Sequence, residues 1–175
     1  MKKSSIIIIE GDILKGKTHV MYGLLTGLAL GMNLPQLTVL TLGALLPDID
    51  HEKSAIGHYI PIISKHSHHR GFYHSALFAA LCFVLSPYLG IGVLSHIVLD
   101  MFNVVGVELL WPIRIKIKAP GISIHTGKSF ETLIYAAGIL GLGLLIGFYH
   151  HKYGMMHIME YTKLGWEEGL SLIHI

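Results

Sequence analysis

The apolar residues of the chain are gathered into five long stretches, which are separated by tight turns or by polar connections. Pro35, Pro47 and Pro87 interrupt this pattern, and a proline ends or kinks a helix because it lacks a backbone N–H donor. The pattern predicts an all-α protein, a membrane-embedded bundle of about five helices with two polar loops on one side. The five stretches are residues 18–33, 36–46, 72–85, 89–107 and 132–149.

The sequence predicts a single domain that is flanked by an N-terminal segment and a C-terminal tail. Residues 1–17 are a charged N-terminal segment, and residues 18–150 are predicted to form a single membrane helical domain that holds the candidate site. Residues 151–169 are a tail of mixed composition. We interpret residues 170–175, with the sequence LSLIHI, as adapter-derived residues and exclude them from fold reasoning, although a chance match stays open.

Charge indicates how such a bundle would be oriented. The N-terminus and the polar loops 48–70 and 108–129 carry lysine and arginine, whereas the tight turns 33–36 and 86–88 carry none. The positive-inside rule therefore predicts that both polar loops are cytoplasmic. The stretch 18–33 would span only about 24 Å as a helix, which is less than the ~30 Å of a hydrocarbon core. We expect a thinned bilayer or a bundle that dips into one leaflet.

Composition supports the membrane interpretation and narrows the chemistry. Apolar residues make up 52% of the chain and charged residues only 14%, about half the charged share of an average soluble domain. A fully soluble helical bundle is the alternative. The net charge of +2 argues against a nucleic-acid-binding surface, and the single cysteine, Cys82, has no partner in the sequence. The 13 histidines make metal binding the first hypothesis to test.

Three motifs carry the candidate chemistry. Asp48, Asp50 and His51 follow a helix end that contains a proline, and two carboxylates with an imidazole there can chelate a divalent cation. An isolated aspartate in that position more often caps a turn.

The second polar loop shows a different pattern. In the loop 108–129, isoleucines alternate with arginine and lysine, which is typical of a short strand or an interfacial segment.

The second and third motifs lie on the next two helices. His69 and His74 lie five positions apart in the sequence. Arg70 lies between them and could hold a phosphate through a forked contact. His96 and Asp100 lie four residues apart in an apolar helix, so they project from one face. An ionisable pair in such a helix indicates a functional site, because it is costly unless it is partnered.

The predicted topology brings these motifs to one end of the bundle. His19 and Glu131, at the starts of two helices, fall on the same cytoplasmic side. We therefore predict metal ligation by the nine residues His19, Asp48, Asp50, His51, His69, His74, His96, Asp100 and Glu131, any of which could instead orient a ligand. The long-loop histidines His58, His66 and His68 could be solvated, flank the site or respond to pH, and we favour the first of these. Three others are expected to be interfacial, at or beyond the end of the last helix: His150, His151 and His157.

The ordered motifs LLPDIDH, SAIGHYIP, HRGFYHS, SHIVLDM, GVELLWP and TGKSFE resemble those of the YdjM-like family of bacterial inner-membrane proteins. That family is grouped with the zinc-dependent phospholipase C and single-strand nuclease superfamily of metal-dependent hydrolases. The resemblance implies a bacterial inner (cell) membrane location, an all-helical fold and hydrolytic activity. It also implies metal ligation by Asp48 or Asp50, His69, His74, His96 and Asp100, with His19 as a further candidate. Tyr73 departs from the family motif, which usually has threonine there.

The leading hypothesis is a membrane-bound, metal-dependent hydrolase, a phosphoesterase that acts on a lipid or another phosphate ester. We expect a divalent metal, zinc by preference, to activate water, with Asp48 as the proton acceptor and Arg70 as a contact to the ester. The alternative is a non-enzymatic, metal-stabilised membrane protein that acts through protein interactions in a stress response. A metal transporter or a haem protein fits the ligand positions less well. The oligomeric state is left open.

Overall fold

The computed structural model describes the backbone of residues 3–54, 56–103, 105–120 and 132–152, and side chains from Gly16 onward. This part of the chain is all-helical, which confirms the predicted fold class. Three short 3₁₀-helices, Leu46–Asp50, Gly57–Tyr59 and Phe72–His74, lie in the connections. The six α-helices are α1 (Lys3–Ala29), α2 (Leu34–Leu45), α3 (Pro61–His66), α4 (Ala76–Leu85), α5 (Pro87–Met101) and α6 (Thr132–Lys152).

The first two helices differ from their predicted limits. α1 includes most of the N-terminal segment that was predicted to be separate, since no proline interrupts the backbone before Ala29. Gly31 then turns the chain with φ +71°, a conformation that favours glycine. Asn33 caps α2 by accepting a hydrogen bond from the Gln36 amide, and Pro35 lies in the first turn of α2 instead of ending α1.

The central pair of the bundle is α2 and α5, which run parallel in backbone contact. A Cβ added at Gly43 would collide with the Leu89 carbonyl, and a Cβ added at Gly92 would collide with the Leu40 carbonyl. Glycine therefore sets the spacing of these helices. α1 and α4 also pack on α5, and five buried residues form the core beside it: Ala79, Cys82, Val93, Ile97 and Val107.

α6 lies along α1 and is mostly exposed. The Tyr22 hydroxyl donates to the Ile134 carbonyl, and the Tyr149 hydroxyl donates to the Leu28 carbonyl, so the two helices run in the same direction. α6 is the one helix in the described part of the chain that is long and apolar enough to cross a membrane. The apolar α4 and α5 are shorter, with 10 and 15 residues.

The two polar connections contain more structure than the sequence predicted. The first includes α3 and two of the 3₁₀-helices. In the second, the alternating segment forms no strand among the residues described. Val107 and Ile117 instead form a single antiparallel bridge, with N–O distances of 3.0 and 2.8 Å.

Candidate metal centre

Four separate segments bring histidine and aspartate side chains to one end of the bundle. α1 contributes His19, the 3₁₀-helix after α2 contributes Asp48, the 3₁₀-helix before α4 contributes His74, and α5 contributes His96 and Asp100. Asp48 is half-buried and the other four residues are buried, with no exposed surface on the imidazoles of His74 and His96. We call these five residues the central cluster.

His96 is oriented by the backbone of α2. Its Nδ1 lies 2.6 Å from the Ala44 carbonyl oxygen. A carbonyl oxygen only accepts hydrogen bonds, so Nδ1 carries the proton and Nε2 presents its lone pair. This Nε2 lies 3.3 Å from Nε2 of His74. A hydrogen bond from a ring nitrogen to a backbone carbonyl is the usual way in which a metal-binding histidine is held.

The carboxylates of Asp100 and Asp48 complete the central cluster. Oδ2 of Asp100 lies 3.3 Å from Nε2 of His74 and 3.9 Å from Nε2 of His96, while Oδ1 lies 3.5 Å from Nε2 of His19. Oδ1 of Asp48 lies 3.7 Å from Nε2 of His96. The His19 ring also stacks on that of His96, with centroids 3.6 Å apart.

These separations fit a divalent metal. Zinc–nitrogen bonds of about 2.0–2.1 Å in tetrahedral geometry place neighbouring donor atoms about 3.3 Å apart. Two sets of three donors each lie within 4.8 Å of one another: His19, His96 and Asp100, and Asp48, His74 and His96. Imidazole and carboxylate donors are also those that zinc accepts.

Asp50 contacts the histidines from behind the central cluster. Its Oδ1 lies 2.8 Å from Nδ1 of His69, and its Oδ2 lies 3.2 Å from Nδ1 of His74 and accepts the Arg70 amide at 3.0 Å. Burial opposes the charge of Asp50, but the contacts with His69 and His74 prevail and hold its pKa well below the usual range. Asp50 is therefore placed to orient His74.

The same contacts affect His74 itself. Burial opposes its positive charge, but the close carboxylates of Asp100 and Asp50 outweigh burial and raise the pKa of His74 to about 9. A metal ion that binds Nε2 of His74 must therefore displace a proton.

Arg70 is held in an unusual backbone conformation beside Asp100. Its φ is +65°, which is uncommon for a residue with a Cβ. The side chain is buried, with Nε 3.5 Å from Oδ2 of Asp100, and the buried Nη1 has no hydrogen-bond partner among the described residues. A strained conformation that points a guanidinium at a carboxylate cluster is typical of functional sites.

Some of the predicted ligands lie outside the central cluster. His69 is joined to it through Asp50, with a partly exposed side chain. His51 lies against His69, with ring centroids 4.5 Å apart. Glu131 lies outside the residues that the structure describes.

One contact near the centre was not predicted from the sequence. Glu108, just after α5, is buried, and its Oε1 lies 3.3 Å from Nε2 of His68. His68 was expected to be solvated in the long loop, and its side chain is indeed 64% exposed, but it has this acidic partner. The available signal was a carboxylate within the apolar run between Met101 and Trp111.

Comparison with known proteins identifies the family of the chain. The profile of the YdjM inner membrane protein family matches residues 14–162, so the chain belongs to that family. YvsG of Bacillus subtilis (strain 168), an uncharacterized protein, is 35% identical over 161 residues, which cover 81% of this chain and 96% of YvsG.

Two further relatives carry the family name. The inner membrane proteins YdjM of Escherichia coli (strain K12) and of Shigella flexneri are each 40% identical over 115 residues. These residues cover 55% of this chain and 59% of each relative. No solved structure matches the chain.

Proposed function

We propose that the chain is a membrane-bound, metal-dependent hydrolase, specifically a phosphoesterase that acts on a phosphate ester or a lipid-like substrate. The observation that carries this proposal is the approach of two imidazole Nε2 atoms to 3.3 Å. With Nδ1 of His96 bound to a carbonyl, the lone pair of that ring faces His74 and two carboxylates. A shared divalent cation suits this group better than water does.

The residues of the central cluster would hold the ion, with zinc as the expected metal. A divalent ion at such a site lowers the pKa of water and offsets negative charge on phosphoryl oxygens. Asp48 is the least buried carboxylate of the cluster, with its side chain 16% exposed. It is therefore the group that can both meet solvent and accept a proton from the attacking water.

Arg70 would bind the ester. Its Nε faces Asp100, which leaves the unpartnered Nη1 to donate a charge-assisted hydrogen bond to a phosphoryl oxygen. This bond would strengthen as negative charge develops in the transition state.

We further propose that the chain is a multi-pass protein of the bacterial inner membrane, with the site toward the cytoplasm. Membership of an inner membrane protein family and the exposed apolar α6 support membrane insertion. The lysines and arginines of the polar loops support the orientation.

Burial supports a second candidate, a non-enzymatic protein whose metal ion holds the helices together. Structural zinc sites are closed, whereas catalytic ones keep a position open for substrate. His74 and His96 are fully buried. In this case Arg70 would only balance the charge of Asp100.

Metal-dependent turnover separates the two candidates. Detergent-purified protein would be assayed with bis(p-nitrophenyl) phosphate and a short-chain phospholipid, before chelation, after chelation, and after Zn²⁺ is restored. Arg70→Ala should keep its metal but lose about 10²- to 10³-fold in turnover, as when a transition-state donor is removed. Arg70→Lys should recover part of that loss, and the exposed Arg114→Ala is the matched control. A wild-type protein that binds metal and hydrolyses neither ester supports the structural candidate.

A further inference from the structure

The contact between His68 and Glu108 lies apart from the central cluster and has no role in the proposed hydrolysis. Glu108 is only 3% exposed, and its Oε1 lies 3.3 Å from Nε2 of His68. Its other oxygen, Oε2, is buried and has no hydrogen-bond partner in the described part of the chain. Half of this carboxylate is thus removed from water without compensation.

The nearest positive residue does not neutralise this carboxylate. Arg70 and Glu108 are joined through the backbone, since the Glu108 amide donates to the Arg70 carbonyl at 3.1 Å. The Arg70 guanidinium, however, points to Asp100. A buried carboxylate is costly unless it is paired or coordinates a metal. Its one charged contact in the described residues is therefore the mostly exposed imidazole of His68.

We propose that Glu108 and His68 bind a second divalent cation at the solvent edge of the site. The 3.3 Å between Oε1 and Nε2 is the separation of two donors on one tetrahedral ion, and carboxylate with imidazole is a donor pair that zinc accepts. The ion would also offset the negative charge of the buried carboxylate, whose Oε2 has no hydrogen-bond partner among the described residues. The exposed side of His68 leaves room for water molecules to fill the remaining coordination positions.

This edge site is connected to the central cluster through Arg70. The Arg70 carbonyl accepts from Glu108, its amide donates to Asp50, and its Nε faces Asp100. A cation at Glu108 would therefore add positive charge to the segment that presents the guanidinium. The proposal concerns ion binding alone and does not require that the protein hydrolyses an ester.

Zinc stoichiometry of single variants tests the edge site. Full-length protein in detergent would be stripped with a chelator, equilibrated with Zn²⁺ alone, and analysed for bound zinc by mass spectrometry. Glu108→Gln should bind one equivalent fewer than wild type, and His68→Ala should lose the same equivalent. His66→Ala is the matched control, because His66 is an exposed histidine at the end of α3 whose Nδ1 lies 2.8 Å from the Ile62 carbonyl oxygen.

The outcomes separate this proposal from the central one. Asp100→Asn should lose central zinc but keep the equivalent that depends on Glu108. Wild-type zinc content in both Glu108→Gln and His68→Ala would overturn the edge site, and so would an equal loss in His66→Ala. If Glu108→Gln fails to fold, the exposed His68→Ala still decides the matter. Asp100→Asn with unchanged zinc would count against the central cluster alone.

Discussion

The two ends of the α2–α5 pair differ in whether their polar groups have hydrogen-bond partners. At the end where both helices begin, Asn33 and Gln36 cap each other reciprocally, and Nε2 of Gln36 donates to the Tyr88 hydroxyl at 2.7 Å. At the other end, four buried atoms lack a hydrogen-bond partner among the described residues: Nδ1 of His19, Nη1 of Arg70, Nδ1 of His74 and Oε2 of Glu108.

We infer from this difference that the polar groups of the capped end serve folding and that those of the other end serve binding. An unsatisfied buried polar group destabilises the fold by about 1–3 kcal/mol. Several such groups at one place therefore indicate a functional role. Among the described residues, the polar groups of the capped end pair with one another. On the proposed function, ions or a substrate would supply the missing partners at the end with the central cluster.

The largest effect should follow from removing a central charge. Asp100→Asn keeps the size of the side chain but removes the negative charge that faces His19, His74 and Arg70. Changes to groups behind the ligands already cost about 10- to 100-fold in metal affinity, so we expect zinc affinity to fall by more than about 100-fold here. Competition against a fluorescent zinc chelator measures this change, and unaltered affinity would exclude Asp100 as a ligand.

An intermediate effect is expected for Asp50, which contacts the rings of His69 and His74 from behind. Asp50→Asn should reduce zinc affinity by about 10- to 100-fold, as is usual for residues that orient a metal ligand. The same chelator competition applies. A loss as large as that of Asp100→Asn would instead mean that Asp50 binds the metal directly.

The smallest effect, and one confined to stability, is expected at the capped end. Asn33→Ala removes the hydrogen bond to the Gln36 amide, which is 3.1 Å long. The loss of an N-cap costs about 1 kcal/mol. Thermal unfolding in detergent should shift downward while zinc affinity stays at the wild-type value. A change in affinity would show that the two ends are coupled.

Much of the central cluster could be predicted because the sequence shows the helix periodicity and the helix ends around these residues. The spacing of His96 and Asp100 predicts a shared face of α5, and both contact His74 in the structure. The different positions of Asp48 and Asp50 could not be predicted. They depend on the 3₁₀ turn Leu46–Asp50, which directs one carboxylate to His96 and the other behind His74.

The Glu108 contact could not be predicted for a related reason. It depends on where the chain turns after α5, and that turn is fixed by non-local bonds between Val107 and Ile117 and between Glu108 and Arg70. The sequence places the first helix from residue 18 because residues 1–17 carry four lysines, whereas α1 begins at Lys3 in the structure.

The close contact of α2 and α5 bears on which ions the protein can select. Gly43 and Gly92 let the two backbones come into contact. α5, which carries His96, is therefore packed tightly against α2, which precedes the 3₁₀ turn that contains Asp48. We expect a site held between these two helices to resist the widening that a larger ion would require. Calcium is coordinated by six to eight oxygen atoms at about 2.3–2.6 Å. Zinc is coordinated by four donor atoms at about 2.0–2.3 Å. If the central cluster binds a metal as proposed, discrimination by ionic radius would thus follow in part from the absence of a Cβ atom at Gly43 and Gly92.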